Sequence, residues 1–155
     1  MSTDKILQIT STGSNDTEQL GEKIGQKLKG GEVIELVSDL GGGKTTFVRG
    51  LAKGMGSVDS VASPTFTIRR EYYTNDLVMY HFDFYRLTEP GSIAHDLAEV
   101  MHKRDGVVVV EWGDIVKGVM PAKKLTVNIK TTGENTRQIK FNTPKTLGYM
   151  LEGII

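Results

Sequence analysis

Residues 32–56 read EVIELV, then SDLGGGKT, then TFVRGLAKGMG: an apolar β-branched run, a glycine-dense turn and a helical pattern. Val33, Ile34, Leu36 and Val37 fall within six residues, too short a run for a helix and suited to a buried parallel strand. Gly41, Gly42 and Gly43 let the backbone curl so that several N–H groups converge on one point, where a side chain would block close approach. Lys44 follows as a point charge for β- and γ-phosphates, and Thr45 as a hydroxyl for a bridging magnesium ion. The helix that starts there adds unpaired N–H groups and the positive end of its dipole. Ser38–Thr45 therefore reads as a phosphate-binding loop between strand and helix. Three consecutive glycines carry an entropic cost of about 1 kcal/mol each, which a bare turn does not explain.

One position departs from the usual G-x-x-x-x-G-K-[ST] pattern: Ser38 stands where the first glycine is expected. A left-handed backbone at Ser38 would strain the loop by about 1 kcal/mol or more.

The composition narrows the class. The 155 residues are enough for one domain with a real core and too few for two, so residues 1–155 are read as a single unit. Lysine plus arginine equals aspartate plus glutamate at 19 each, which argues against a non-specific nucleic-acid binder. Cysteine is absent, excluding disulfides, thiolate metal sites and a cysteine nucleophile and fitting a reducing cytoplasm. No run of eighteen apolar residues predicts a membrane span, and the first residues lack the pattern of a secretory signal.

Around the loop, the period of apolar residues sets out the remaining elements. Ile6, Leu7 and Ile9 read as a short N-terminal strand or a tail packed on the sheet, and Leu20, Ile24 and Leu28 stripe a helix from Ser14 to about Lys29. Phe47, Val48, Leu51, Ala52 and Met55 form the buried face of the loop helix; Gly50 within it predicts close packing on neighbouring backbone. Phe66–Tyr73 and Leu77–Tyr85 read as an antiparallel hairpin, with Tyr80, Phe82 and Phe84 on one face and His81, Asp83 and Tyr85 on the other. A helix is expected from about Ser92 to His102. Val107–Val110 needs burial on both faces and is a central parallel strand ending in Glu111 and Trp112. A short helix over Asp114–Lys117, a hairpin over 125–141 and a short helix from about Lys145 complete the chain. The fold class is α/β: a P-loop NTPase-like three-layer sandwich with a mixed, mainly parallel sheet and antiparallel hairpins.

Ligands of such sheets bind outside the carboxyl ends of the strands. The glycine loop leaves one such end and Glu111 stands at another, where it could grip magnesium or activate water; an ordinary strand-end carboxylate is the plain alternative. Asp83 is the second candidate for the metal shell or for orienting water. Thr65 and Thr67, after Pro64, lie where switch segments approach a γ-phosphate, or they cap a turn. Trp112 packs near the base or fills the core, the core being the simpler role. No Asn-Lys-x-Asp stretch reads guanine, so adenine is favoured. Arg49, Arg69, Arg70 and Arg86 are clamps or solvated surface. His81, His95 and His102 lack metal-ligand spacing and read as structural or exposed.

SDLGGGKTTFVRGLAKGMG, SPTFT, YHFDFYRL and VVVVEWGD, in this order, resemble the bacterial TsaE family, the ATPases of tRNA threonylcarbamoyladenosine (t6A) biosynthesis. The ordered similarity runs from about Thr17 to Pro121. The resemblance implies a small magnesium-dependent ATPase acting with the TsaD–TsaB heterodimer, which modifies adenosine 37 of tRNAs that read ANN codons; contact with tRNA would be indirect. It implies nucleotide binding by Ser38, Asp39, Leu40, Gly41, Gly42, Gly43, Lys44, Thr45, Thr46 and Trp112. Thr45, Asp83 and Glu111 would hold Mg2+, and Lys44, Glu111, Asp83 and Thr65 would act in catalysis. The family loop commonly reads G-D-L-G-A-G-K-T, so Ser38 and Gly42 differ. Two other functions compete: a small-molecule kinase, which needs a lid and an acceptor pocket, and an ATP-gated binding module with incidental hydrolysis.

Overall fold

The structure is a computed structural model and describes residues 4–39 and 43–154. Leu40, Gly41 and Gly42, the middle of the predicted loop, lie outside the described residues. Seven strands form one sheet: β1 (Lys5–Ser11), β2 (Val33–Ser38), β3 (Arg69–Tyr73), β4 (Val78–Asp83), β5 (Gly106–Glu111), β6 (Leu125–Thr131) and β7 (Arg137–Thr143). Their spatial order is β1-β7-β6-β2-β5-β4-β3. The inner strands β6, β2, β5 and β4 run parallel, while β3 at one side and β7 and β1 at the other run antiparallel to their neighbours. The expected mixed sheet with flanking hairpins is therefore present.

Alternation along the inner strands divides the core in two. Ile34, Leu36, Val107 and Val109 face helices α1 (Ser14–Gly25) and α2 (Lys44–Met55); Val33, Val108 and Val110 face α3 (Ile93–Val100) and the 3-10 turn Gly113–Val116. All six residues of β5 are buried, as the valine run requires.

Several boundaries differ from the sequence reading, and β4 stops at Asp83 rather than Tyr85. Helix α1 stops at Gly25 rather than near Lys29, because Lys27 and Leu28 tighten onto the carbonyls of Ile24 and Gly25. The N–H groups of Lys29 and Gly30 instead donate to the buried Glu32 carboxylate, at 2.8 Å each. That carboxylate also accepts the Tyr149 hydroxyl at 2.6 Å, tying this turn to the C-terminal 3-10 helix Lys145–Leu151. Strand β3 begins at Arg69 rather than Phe66: Ile68 takes a left-handed φ of 68°, which breaks the extended run and leaves Phe66 exposed in a turn. Helix α3 is shorter than its apolar stripe, ending at Val100.

Helices α1 and α2 meet backbone to backbone. A Cβ on Gly21 would lie 2.3 Å from the Phe47 carbonyl oxygen, and one on Gly50 would lie 2.0 Å from that of Glu18. Gly54 stands against Glu22 in the same way, at 2.1 Å. The close packing expected of Gly50 is thus real, and it clamps α2, the helix whose first turn opens onto the ligand side of the sheet. Exposed pairs Arg49–Glu18 and Lys53–Glu22, at 4.0 and 3.9 Å, span the same seam and add little.

Candidate nucleotide site

Strand β2 ends at Ser38, and Ser38 belongs to the strand, paired with Ile129 of β6. Among the described residues only Ile68 and Trp112 are non-glycines with positive φ. Ser38 is therefore extended, the condition for strain does not arise, and no backbone dihedral demands glycine at this position. Gly43, by contrast, has φ 103° and forms the N-cap of α2, accepting the Phe47 N–H at 3.0 Å.

The Lys44 ammonium is buried and folds back over the loop. It donates to the carbonyls of Asp39 at 3.0 Å and Ser38 at 3.4 Å, and it stands 5.3 Å from the Trp112 ring centroid. Carbonyl dipoles hold this cation without neutralising it, so the site stays receptive to an anion.

Strands β4 and β5 are in register with Asp83 beside Glu111, and the two acids share the carboxyl edge of the sheet. They are held differently. Asp83 is held at both oxygens: Oδ2 accepts the Thr65 hydroxyl at 2.7 Å, Oδ1 accepts the Tyr85 N–H at 2.9 Å, and its own N–H donates to the Ile68 carbonyl. The Ser63 hydroxyl lies 2.7 Å from that of Thr65, so a line of hydroxyls links the Ser63–Thr67 segment to the acid. The carboxylate of Glu111, a residue only 2% exposed, accepts one hydrogen bond among the described residues, from His81 Nε2 to Oε2 at 2.5 Å. The two strained residues flank the two acids, Ile68 through its carbonyl and Trp112 through the chain, as backbone strain often does at working sites.

Gly43, Lys44, Thr45, Thr46, Ser63, Thr65, Asp83, Glu111 and Trp112 line one cavity of about 360 Å3. Ser38 and Asp39 approach it through their carbonyls; Thr67 is exposed and is not in its wall. Arg49, Arg69, Arg70 and Arg86 do not line it either. Arg86 instead lies 4.9 Å from the exposed Phe66 ring. Trp112 does not simply fill the core. It lines the cavity, its ring meets that of Tyr85 at a tilt with centroids 4.9 Å apart, and it packs in part on the α3 side of the sheet.

A second cavity of about 220 Å3 adjoins the first through Gly43 and Thr46 and is also lined by Gly13, Ser14, Thr17, Glu134, Asn135 and Arg137. Sequence reasoning missed these residues, because they sit in a helix start and a hairpin turn that only the sheet order brings to the loop. The His81 bond to Glu111 was missed too. The available signal was that His81 and Asp83 share a face of a strand next to the valine run.

No group of three His, Cys, Asp or Glu side chains placed to hold a metal occurs among the described residues. Two acids and a threonine in one wall nonetheless fit magnesium, which takes one or two carboxylates and completes its shell from phosphate and water. The second oxygen of Glu111 is the observation that supports the fit: it accepts no hydrogen bond among the described residues and is open to the cavity that the side chain lines, where a cation can meet it.

The family model described as "Threonylcarbamoyl adenosine biosynthesis protein TsaE" matches residues 11–139, beyond the Thr17–Pro121 span of the ordered similarity and into both walls of the second cavity. The chain is 38% identical over 137 residues to the tRNA threonylcarbamoyladenosine biosynthesis protein TsaE of Bacillus subtilis, covering 88% of this chain and 85% of that protein. It is 36% identical over 138 residues to the Aquifex aeolicus protein of that name, covering 88% and 96%. The crystal structure of Bacillus subtilis YdiB superposes with a TM-score of 0.78 at 30% identity, over 98% of this chain and 95% of that one.

Proposed function

The chain belongs to the TsaE family, and on that premise we propose that it is a magnesium-dependent ATPase of t6A biosynthesis. In this reading it works in the cytoplasm with the TsaD–TsaB heterodimer, which modifies adenosine 37 of tRNAs reading ANN codons, and meets tRNA only through that complex. The observation that carries the reading is the meeting, in one cavity, of the loop-helix start Gly43–Thr46 with Asp83, Glu111, Thr65 and Trp112.

ATP would lie with its phosphates in the larger cavity, at Lys44 and the first turn of α2, and its nucleoside in the smaller cavity that shares Gly43 and Thr46. In this reading the phosphates are bound by Ser38 through Thr46, of which Leu40, Gly41 and Gly42 lie outside the described residues. Trp112 would then wall the phosphate end rather than bind the base, because its ring lies beside the Lys44 ammonium.

Hydrolysis forms a bond from water oxygen to the γ-phosphorus and breaks the bond to the β–γ bridging oxygen, which leaves on ADP. Lys44 and the α2 amides stabilise the charge that develops on the phosphate oxygens. Thr45, Asp83 and Glu111 would hold magnesium, which supplies further neutralisation of that charge. The same free oxygen of Glu111 is also placed for the second role, orienting the attacking water in place of holding the metal, and Thr65 fixes Asp83 beside it.

The test is phosphate release from magnesium-ATP by the protein alone and with TsaD–TsaB, with Lys44→Ala alongside. Release that the pair stimulates and that Lys44→Ala abolishes is the expected result. Undiminished release by Lys44→Ala refutes the assignment. Tight ATP binding without release, in a complex shown to form, replaces the ATPase with a nucleotide-gated binding module.

A further inference from the structure

We infer that His81 is a positioning residue that fixes the Glu111 carboxylate and turns one of its oxygens toward the cation of the nucleotide site. The inference rests on the nucleotide reading above.

His81 is fully buried on β4, in register with Val109, so Glu111 lies two residues farther along the neighbouring strand on the same face. Its Nε2–H donates to Glu111 Oε2 at 2.5 Å, and its Nδ1 has no hydrogen-bond partner among the described residues. A residue kept only for packing would not be an imidazole with one nitrogen orphaned: on the same face of β4, Met79 fills an equally buried position without any polar atom to satisfy. Among the described residues the single polar tie of the His81 side chain is to Glu111. Tyr72, its ring 6.3 Å away, packs beside the imidazole and leaves it nowhere exposed to turn.

The consequence for Glu111 is geometric. Of its two oxygens, Oε2 is taken by His81 and Oε1 has no donor among the described residues, although the side chain lines the cavity. A free glutamate at a strand end would sample several rotamers; one anchored through Oε2 presents Oε1 in a fixed direction. Asp83 needs no such anchor, because Thr65 and Tyr85 already hold both of its oxygens.

Three variants separate positioning from packing. His81→Gln keeps an amide N–H with the reach of Nε2, His81→Asn keeps the amide but falls short, and His81→Leu removes the donor. Mn2+ bound to the protein–ADP complex is measured by electron paramagnetic resonance, and ADP binding without metal by the fluorescence of Trp112, the sole tryptophan. We expect Asn and Leu to weaken Mn2+ about tenfold or more, the usual cost of losing a partner behind a metal ligand. Gln should stay within about threefold of wild type, and metal-free ADP affinity should be common to all. Folded Asn or Leu protein with wild-type Mn2+ affinity overturns the inference, as does Gln protein as weak as Leu. Should Leu fail to fold, the two amides carry the comparison. Wild-type protein that binds no Mn2+-ADP overturns the nucleotide reading together with this one, whereas a wild-type-like Asn variant overturns this one alone.

Discussion

Gly50→Ala should destabilise the protein, against the intrinsic preference of helices. At an open helix position alanine is better than glycine by about 1 kcal/mol. At Gly50 the added Cβ would sit 2.0 Å from the Glu18 carbonyl oxygen, and 2.9 Å from the Glu22 nitrogen, where real Cβ atoms essentially never come under 3.0 Å. The blocking atoms are backbone, so no side chain can swing away, and α1 and α2 must part by about 1 Å. That separation loosens Leu20, Phe47 and Leu51, all buried at the seam. Overpacking of this kind costs about 1–3 kcal/mol and more where nothing yields. Taking about 3 against the gain of about 1 leaves a net loss of about 2 kcal/mol. For a chain of this length the midpoint of thermal unfolding should fall by about 4–8 °C. Circular dichroism melts and urea titrations of Gly50→Ala are the assay, with Gly118→Ala, which meets nothing within 4 Å, as the control. A Gly50→Ala protein as stable as wild type, or more so, would refute the backbone-to-backbone packing.

Three further outcomes follow from the geometry. Thr65→Val removes the hydroxyl that donates to Asp83 at 2.7 Å, and should lower the partner-stimulated rate of phosphate release about tenfold or more with little change in ATP affinity; an unchanged rate would leave Thr65 a turn residue. Ser38→Gly should lower stability, by about 0.5–1 kcal/mol, because it adds chain entropy to a strand residue that is already unstrained. A stabilised Ser38→Gly protein in urea titration would mean that the strand assignment at Ser38 is wrong. Burial, and then the hydrogen bond to Glu32, push the Tyr149 hydroxyl well above its ordinary value of 10.0. Its contribution is complete below about pH 10 and is lost as pH rises beyond it, since the unfolded chain ionises first. Urea midpoints of wild type should therefore fall more steeply above about pH 10 than those of Tyr149→Phe, and equal slopes would remove this link.

Much of the site was legible because it is local. A strand and a helix start are specified by residues that touch through the chain itself, so β2 and α2 and the candidate phosphate-binding residues between them were readable directly. The same holds for β5: four valines in succession have no stable place except between two covered faces, and the acid that follows them must stand at the carboxyl edge. The alternation in Tyr80–Tyr85 placed His81 and Asp83 together on one face before any partner strand was known. Where the reading slipped, at the start of β3 and the end of α1, a single left-handed residue or a carboxylate from elsewhere in the turn overrode the pattern of apolar residues.

The amino-acid sequence by itself determined the period of most elements and the candidates for a phosphate site, Lys44, Thr45, Asp83 and Glu111, because each follows from neighbours a few positions away. Only the tertiary structure decided what those candidates touch. Thr65 meets Asp83 across 18 residues and His81 meets Glu111 across 30. The turn at Glu134–Arg137 reaches the loop helix because β6 and β7 lie on the far side of β2. Such pairings depend on strand order and register, and those are fixed by the burial of two whole faces of a sheet, a condition that no short stretch of chain can state alone.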